Sequence, residues 1–317
     1  MIVLKKVVEK GGSRNISRET EKIFKEMQEF LKNHDENNRT DADTESLIEE
    51  FMKHYNGRAA GKVSEPETSD DYFELAFYAD DEKNALKYAN KALALDPNNF
   101  DAKALVLELK AKDRTELVRT YEKAVQKATK YMAEKGYFKD DCIGDFWKIL
   151  ETRSYMRLRA SFAENLIKCG KMGQAREECR ELLRLCDGDN LGIRYYLMHI
   201  YAYFEEEEAA HALHKHFDLC NETQMLFPLS ILHYKKGNYA KATQYLRKLN
   251  GVNKDLKKFL QIFSEDLFEL FEEYEVEDGY LPNTIEEFIV ELNENLFLFA
   301  TTNYYPEWAL KQVKKFK

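Results

Sequence analysis

The sequence predicts an all-α protein: a right-handed superhelical stack of helix hairpins, an α-solenoid, with a helical N-terminal extension and C-terminal capping helices. Three observations carry this expectation. Ala175, Ala209 and Ala242 recur 34 and 33 residues apart, each followed by an apolar or aromatic stripe at helical spacing. Only 13 glycines and 5 prolines interrupt 317 residues, and the long runs are filled by alanine, leucine, glutamate and lysine, which lose little rotamer freedom in a helix. The stretch Ala92–Asn99 reads ALALDPNN: Pro97 cannot continue a helix and pushes Asp96 out of the α region. With 44% hydrophobic residues the chain can bury a core, which excludes wholesale disorder.

Taken in order, residues 1–65 form the extension. Ser17 caps an expected helix through Asn33, whose face carries Ile23, Phe24, Met27, Phe30 and Leu31. Residues 33–43 are a polar linker, Thr44 to Tyr55 is a second short helix, and the Gly-, Pro- and Ser/Thr-bearing stretch 56–71 marks the domain boundary. The repeat region is expected over 66–250, in units 66–99, 115–145, 146–187, 190–220 and 223–250. Tyr72–Ala79 and Asp81–Leu95 make the first hairpin. Leu117, Tyr121, Ala124, Ala128 and Tyr131 line a long helix ending near Gly136, in an irregular unit that puts Ala85 and Ala175 out of step. Three units follow in register. Each pairs an apolar first helix with a second helix bearing the small alanine, where two helices approach closely and a larger side chain would push them apart. Residues 253–317, with Leu256, Phe259, Leu260 and Phe263 on one face, leave the period and cover the end of the apolar stack.

The period and the ALALDPNN turn resemble the tetratricopeptide-repeat (TPR) superfamily. A narrower likeness lies in residues 151–195: ETRSYMRLRASFAENL over Glu151–Leu166, then Gly170, Ala175, Leu182-Leu183 and the DNLGIRY of Asp189–Tyr195. This resembles the repeat segment of the suppression-of-tumorigenicity seven family and its bacterial relatives. The chain departs from that pattern at Ser154 and at Cys186-Asp187. The resemblance implies a shared helical module and carries no activity with it.

Composition narrows the function classes. A net charge of −9 disfavours nucleic acid, whose affinity comes largely from Lys and Arg neutralising phosphates. The five cysteines are odd in number and form no CxxC pair, as expected of reduced packing residues in a cytosol. Lys5 and Lys6 break the apolar run MIVLKKVVEK before it could serve as a signal peptide, and no membrane span is expected, so the expected location is the cytoplasm. No GxGxxG, GxxxxGK[ST] or HExxH occurs. The expectation is therefore a non-enzyme with no cofactor and no catalytic or metal residues.

What remains is binding. Arg157, Arg194, Tyr201 and Tyr234 fall at repeat positions that face the concave groove in TPR proteins, Arg153 shares a helix face with Arg157, and the five would suit a protein or peptide partner, acidic or carboxylate-bearing. A homodimer is also allowed. The intramolecular alternative pairs Arg157 and Arg194 with Glu151, Glu164 or Asp189 to order the turn between units. The lysine and asparagine of a carboxylate clamp are missing, Ala160 and Glu164 standing there. His211, His214 and His216 include an i, i+3 pair, but with no third ligand at a tight local spacing they are expected as surface or groove histidines. Glu205–Glu208 fits the positive end of a helix dipole. Two alternatives compete with the scaffold: a peptide-sensing bacterial regulator, and an enzyme whose site is unrecognised.

Overall fold

The computed structural model describes residues 21, 23–28, 30–31, 46–53, 55, 66–265 and 280–316. Among the described residues the chain is helical and contains no strand; Asp145 and Cys186 form an isolated bridge. The linker 33–43, the segments 1–20 and 56–65, and the acidic stretch 272–278 lie outside the described residues. No described helix is long and apolar enough to cross a membrane.

The chain divides into two compact units, one formed by residues up to Ala111 with Lys148–Ser154, the other by Lys112–Trp147 with Tyr155–Lys317. In the first unit, α1 (Ser69–Phe77), α2 (Glu82–Leu95) and α3 (Phe100–Lys110) pack on one another. Each start is fixed by a side-chain cap. Thr68 and Asp71 form a reciprocal capping box, Asp81 Oδ1 accepts from the Asn84 amide at 2.8 Å, and Asn99 Oδ1 accepts from the Ala102 amide at 2.9 Å. Phe73, Ala76, Phe77, Ala89, Ala92 and Leu105 form the core. The Lys25 ammonium donates to Asp70 at 2.9 Å. Helix α3 has no counterpart among the expected elements: its apolar residues, in FDAKALVLELK, are nearly contiguous and show no stripe.

The second unit opens with α4 (Arg114–Glu134). Helix α5 runs from Leu150 to Lys168, entering this unit at Tyr155, and α6 (Met172–Leu185), α7 (Ile193–Phe204), α8 (Glu207–His216), α9 (Thr223–Lys235) and α10 (Tyr239–Val252) follow. Helix α7 packs on α6, α8 and α9, and α9 packs on α10. Beyond them α11 (Leu256–Glu265), α12 (Ile285–Glu294), α13 (Leu296–Phe299) and α14 (Tyr305–Val313) contact α7, α9 and α10. These contacts make α9 the centre of the unit, with every residue from Thr223 to His233 buried.

A register common to the helix pairs emerges from the helix starts. Ala85, Ala175, Ala210 and Ala242 are each the fourth residue of their helix, α2, α6, α8 and α10, and each is wholly buried. The sequence period had pointed to Ala209, which is only partly buried; the start of α8 at Glu207 moves the position to its neighbour.

The turns into α6, α8 and α10 share one form. A residue one or two past the end of the first helix takes a left-handed backbone: Gly170 (φ 68°), Glu205 (φ 60°) and Gly237 (φ 72°). The next amide reaches back five residues, Lys171 to Leu166, Glu206 to Tyr201 and Asn238 to His233, at 2.8–2.9 Å. This is the Schellman closure, and α4 ends the same way at Gly136. Two of the three turns use glycine; Glu205 adopts a conformation costing an L-residue roughly 1–2 kcal/mol. That turn receives outside help. The Lys235 ammonium donates to the carbonyls of Ala202 and Tyr203 at 3.0 and 2.6 Å, adding a charged donor at the C-terminal end of α7.

Candidate binding surface

Of the five residues expected to face a ligand, Arg153 lies half-buried at the start of α5, in the segment belonging to the first unit. The other four belong to the second unit. Arg157 is 8% exposed, with its guanidinium 5.9 Å over the Trp147 ring. Arg194 is held at the start of α7. Asp189 accepts from the Ile193 amide (2.7 Å), the Arg194 amide (3.1 Å) and the Arg194 guanidinium (2.9 Å), and so acts as a buried anion at the helix N-terminus. The remaining guanidinium edge pairs with Glu222 at 3.2 Å and covers the Tyr195 ring at 4.2 Å. For Arg194 the observed pairing with Asp189 is therefore the intramolecular one, and it orders the turn into α7.

Tyr201 is 5% exposed, and its hydroxyl accepts from Arg180 at 2.9 Å. Tyr234 differs. It is half-buried, 5.0 Å from the Trp308 ring and 5.8 Å from that of Tyr239, which is 54% exposed. Rings from α9, α10 and α14 thus converge at one partly open surface. Neither Tyr239 nor Trp308 was singled out from the sequence, because the α14 segment lies outside the repeat period.

Two further polar clusters pair residues with partners that sequence reasoning had not joined to them. Arg159, itself 7% exposed, makes a bidentate pair with Glu178, donates to the Tyr155 hydroxyl at 3.1 Å and reaches Glu181 at 3.5 Å. Tyr155 also shares a hydrogen bond with Thr129 at 2.8 Å.

The second cluster gathers at the facing ends of α8 and α9. Glu207 and His211 are i, i+4 on α8 and share a face, and His233 joins them from the last full turn of α9. The His211 and His233 Nε2 atoms lie 3.1 Å apart; Glu207 Oε1 is 3.8 Å from His211 Nε2 and 3.9 Å from His233 Nδ1. Burial pushes both imidazoles below their ordinary pKa, His233 to about 4. The other two histidines go elsewhere: His214 Nε2 meets the Cys220 carbonyl at 2.9 Å, and His216 pairs with Asp187 at 3.0 Å.

All five cysteines are free thiols. Burial raises the Cys179 and Cys220 thiols, the latter to about 12, which removes them as thiolate nucleophiles at neutral pH. Searches of protein-family models and of curated proteins return no match to this chain.

Proposed function

We propose that this chain is a non-enzymatic protein- or peptide-binding scaffold, built from TPR-type helix hairpins stacked as a solenoid and closed by the helices from Leu256 onward. Support for the repeat reading comes from the buried alanine at the fourth position of α2, α6, α8 and α10 and from the matching left-handed turns before three of them. The single observation that carries the binding reading is the aromatic surface of Tyr234, Tyr239 and Trp308. Aromatic side chains supply large contact area at low conformational cost, which is why they dominate binding surfaces.

In this reading the partner first meets the aromatic surface. Arg194 and Tyr201 line the adjoining helix α7, and an acidic partner gains the Arg194 guanidinium only where its carboxylate replaces Glu222. Arg157 is assigned to the same groove, acting chiefly through its packing on Trp147.

Fluorescence anisotropy with a panel of labelled acidic and aromatic peptides tests the proposal. Wild type is expected to bind a subset, and Tyr239→Ala/Trp308→Ala to lose at least tenfold in affinity while keeping its helical circular dichroism. No binding by wild type, or equal binding by the double variant, overturns it.

A further inference from the structure

We propose that Glu207, His211 and His233 form a binding site for a divalent transition-metal ion of the zinc class. The site is independent of the aromatic surface.

The donor set suits such an ion. Two imidazole nitrogens and a carboxylate oxygen are the borderline ligands that Zn²⁺, Co²⁺ and Ni²⁺ accept, whereas Ca²⁺ and Mg²⁺ call for a shell of oxygens. The spacing suits it as well. Ligand bonds of about 2.0–2.1 Å at tetrahedral angles place two donor atoms about 3.3 Å apart. The separations of 3.1 Å between the His211 and His233 Nε2 atoms and 3.8 Å between His211 Nε2 and Glu207 Oε1 straddle that value, and one ligand atom from each of the three residues lies within 4.8 Å of the others. Binding then requires the Glu207 carboxylate to close on the two imidazoles.

A second observation points to a missing ligand. His233 is wholly buried, and its Nδ1 has no hydrogen-bond partner. Buried polar atoms are rarely left so. Its nearest acid, Glu207, stands at 3.9 Å, too far for a hydrogen bond and close enough to share an ion with the ring. His233 can offer that nitrogen, or the Nε2 facing His211.

Tyr245 supplies the outer support that metal-binding histidines commonly have. Its ring stacks on His233 at 5.5 Å with planes 4° apart, and its hydroxyl lies 3.4 Å from His211 Nδ1. A proton on His211 Nδ1 directed at that hydroxyl leaves the Nε2 lone pair for the ion.

One feature opposes binding and sharpens the test. Lys241 stands 3.1 Å from Glu207 Oε1 and Lys236 3.3 Å from Oε2. These ammoniums neutralise Glu207 in the ion-free protein, so the ion has to displace Lys241. Both lysines are partly exposed and can turn into water. Removing Lys241 should therefore tighten binding, an effect opposite to that of removing a ligand.

The experiment is a Co²⁺ titration of the full chain without an affinity tag, followed by visible absorption and Zn²⁺ competition, with Mg²⁺ and Ca²⁺ as controls. One equivalent of Co²⁺ with a Zn²⁺-displaceable d–d band is expected. His211→Ala, at a partly exposed position, should weaken binding at least tenfold, and Lys241→Gln should strengthen it severalfold. A stoichiometry below half, equal displacement by Mg²⁺, unchanged affinity in His211→Ala, or weaker binding by Lys241→Gln overturns the site. His216→Ala, a histidine outside the cluster, is expected to bind as wild type does; loss of binding there also overturns it.

Discussion

Helices α5–α6 and α9–α10 carry the same buried alanine at the fourth position of their second helix, Ala175 and Ala242, yet they fill the space around it in opposite ways. Between α5 and α6 the polar demand is met by charge: Arg159 and Glu178 are nearly enclosed and satisfy each other through two parallel hydrogen bonds. Around α9 the filling is apolar. Phe227 is wholly buried among the rings of Phe259, Phe288, Phe299 and Tyr305 at 5.4–5.8 Å. Two linked hydroxyls lie within it: Ser230 donates to the Ala242 carbonyl at 3.0 Å and accepts from Tyr305 at 2.9 Å. A desolvated ion pair returns little net stability but is costly to half-remove, whereas apolar burial stabilises in proportion to its area. The repeat position fixes how closely two helices approach, and the surrounding residues decide whether that contact contributes specificity or stability.

The sharpest way to break the contrast is at the α9 core. Phe227→Ala should cost about 4 kcal/mol, measured by urea unfolding, from lost transfer free energy plus the cavity left behind. A loss below about 2 kcal/mol would show that the core collapses onto the gap. On the other side, Glu178→Ala should cost about 3 kcal/mol by stranding Arg159, while Arg159→Met/Glu178→Leu should return to within about 1 kcal/mol of wild type. If the double variant is as unstable as the single, the pair is itself a main source of stability and the contrast fails.

A pH measurement comes next. His199 on α7 and Glu291 on α12 are wholly buried and hydrogen-bonded at 2.9 Å. Burial lowers His199 from 6.5 to about 4 and raises Glu291 well above 4.5, so the folded pair holds one proton. Raised Glu291 contributes stability that is complete below pH 4.5 and declines as pH rises. Depressed His199 contributes stability that is complete above pH 6.5 and declines as pH falls. Between pH 4.5 and 6.5 the unfolded pair also holds one proton, as carboxylate and imidazolium, and the two trends cancel. Above pH 6.5 the unfolded pair holds none. Stability should then fall by about 1.4 kcal/mol per pH unit relative to Glu291→Gln, until the folded pair itself titrates. Parallel profiles for the two proteins between pH 6.5 and 8 would refute the shared proton.

The smallest expected effect is at the turn before α8. Glu205→Gly relieves the left-handed strain but loosens the unfolded chain and gives up a 3.6 Å contact with Lys235, for a net gain of about 0.5 kcal/mol. A thermal-melting series of Glu205→Gly beside Gly237→Ala should show opposite signs.

Much of the local structure was readable from the sequence. Asp81 to Leu95 and its stop at Pro97 behaved as expected, because cap, stripe and breaker are all local, and Gly170 and Gly237 stand where two of the turns form. The turn at Glu205 carried no glycine, and with Ala209 and Ala210 in tandem the register slipped by one residue. Site chemistry was harder to read, because its partners are distant in the chain. Arg194 finds Glu222 28 residues on, and His233 meets Glu207 and His211 only when α8 and α9 lie side by side. Helical periodicity predicts which face is buried, and says nothing of which faces meet.

The contact made by Lys235 has a consequence for comparing sequences. Its ammonium grips two main-chain carbonyls of α7, atoms that every amino acid supplies. These two hydrogen bonds therefore do not depend on which side chains stand at 202 and 203, whereas they do depend on the lysine. An alignment of descendants of this chain should show a constrained cation at this position whose two main-chain contacts leave no correlated substitution, and methods that infer proximity from such correlation would miss that part of a contact joining two adjacent helix pairs.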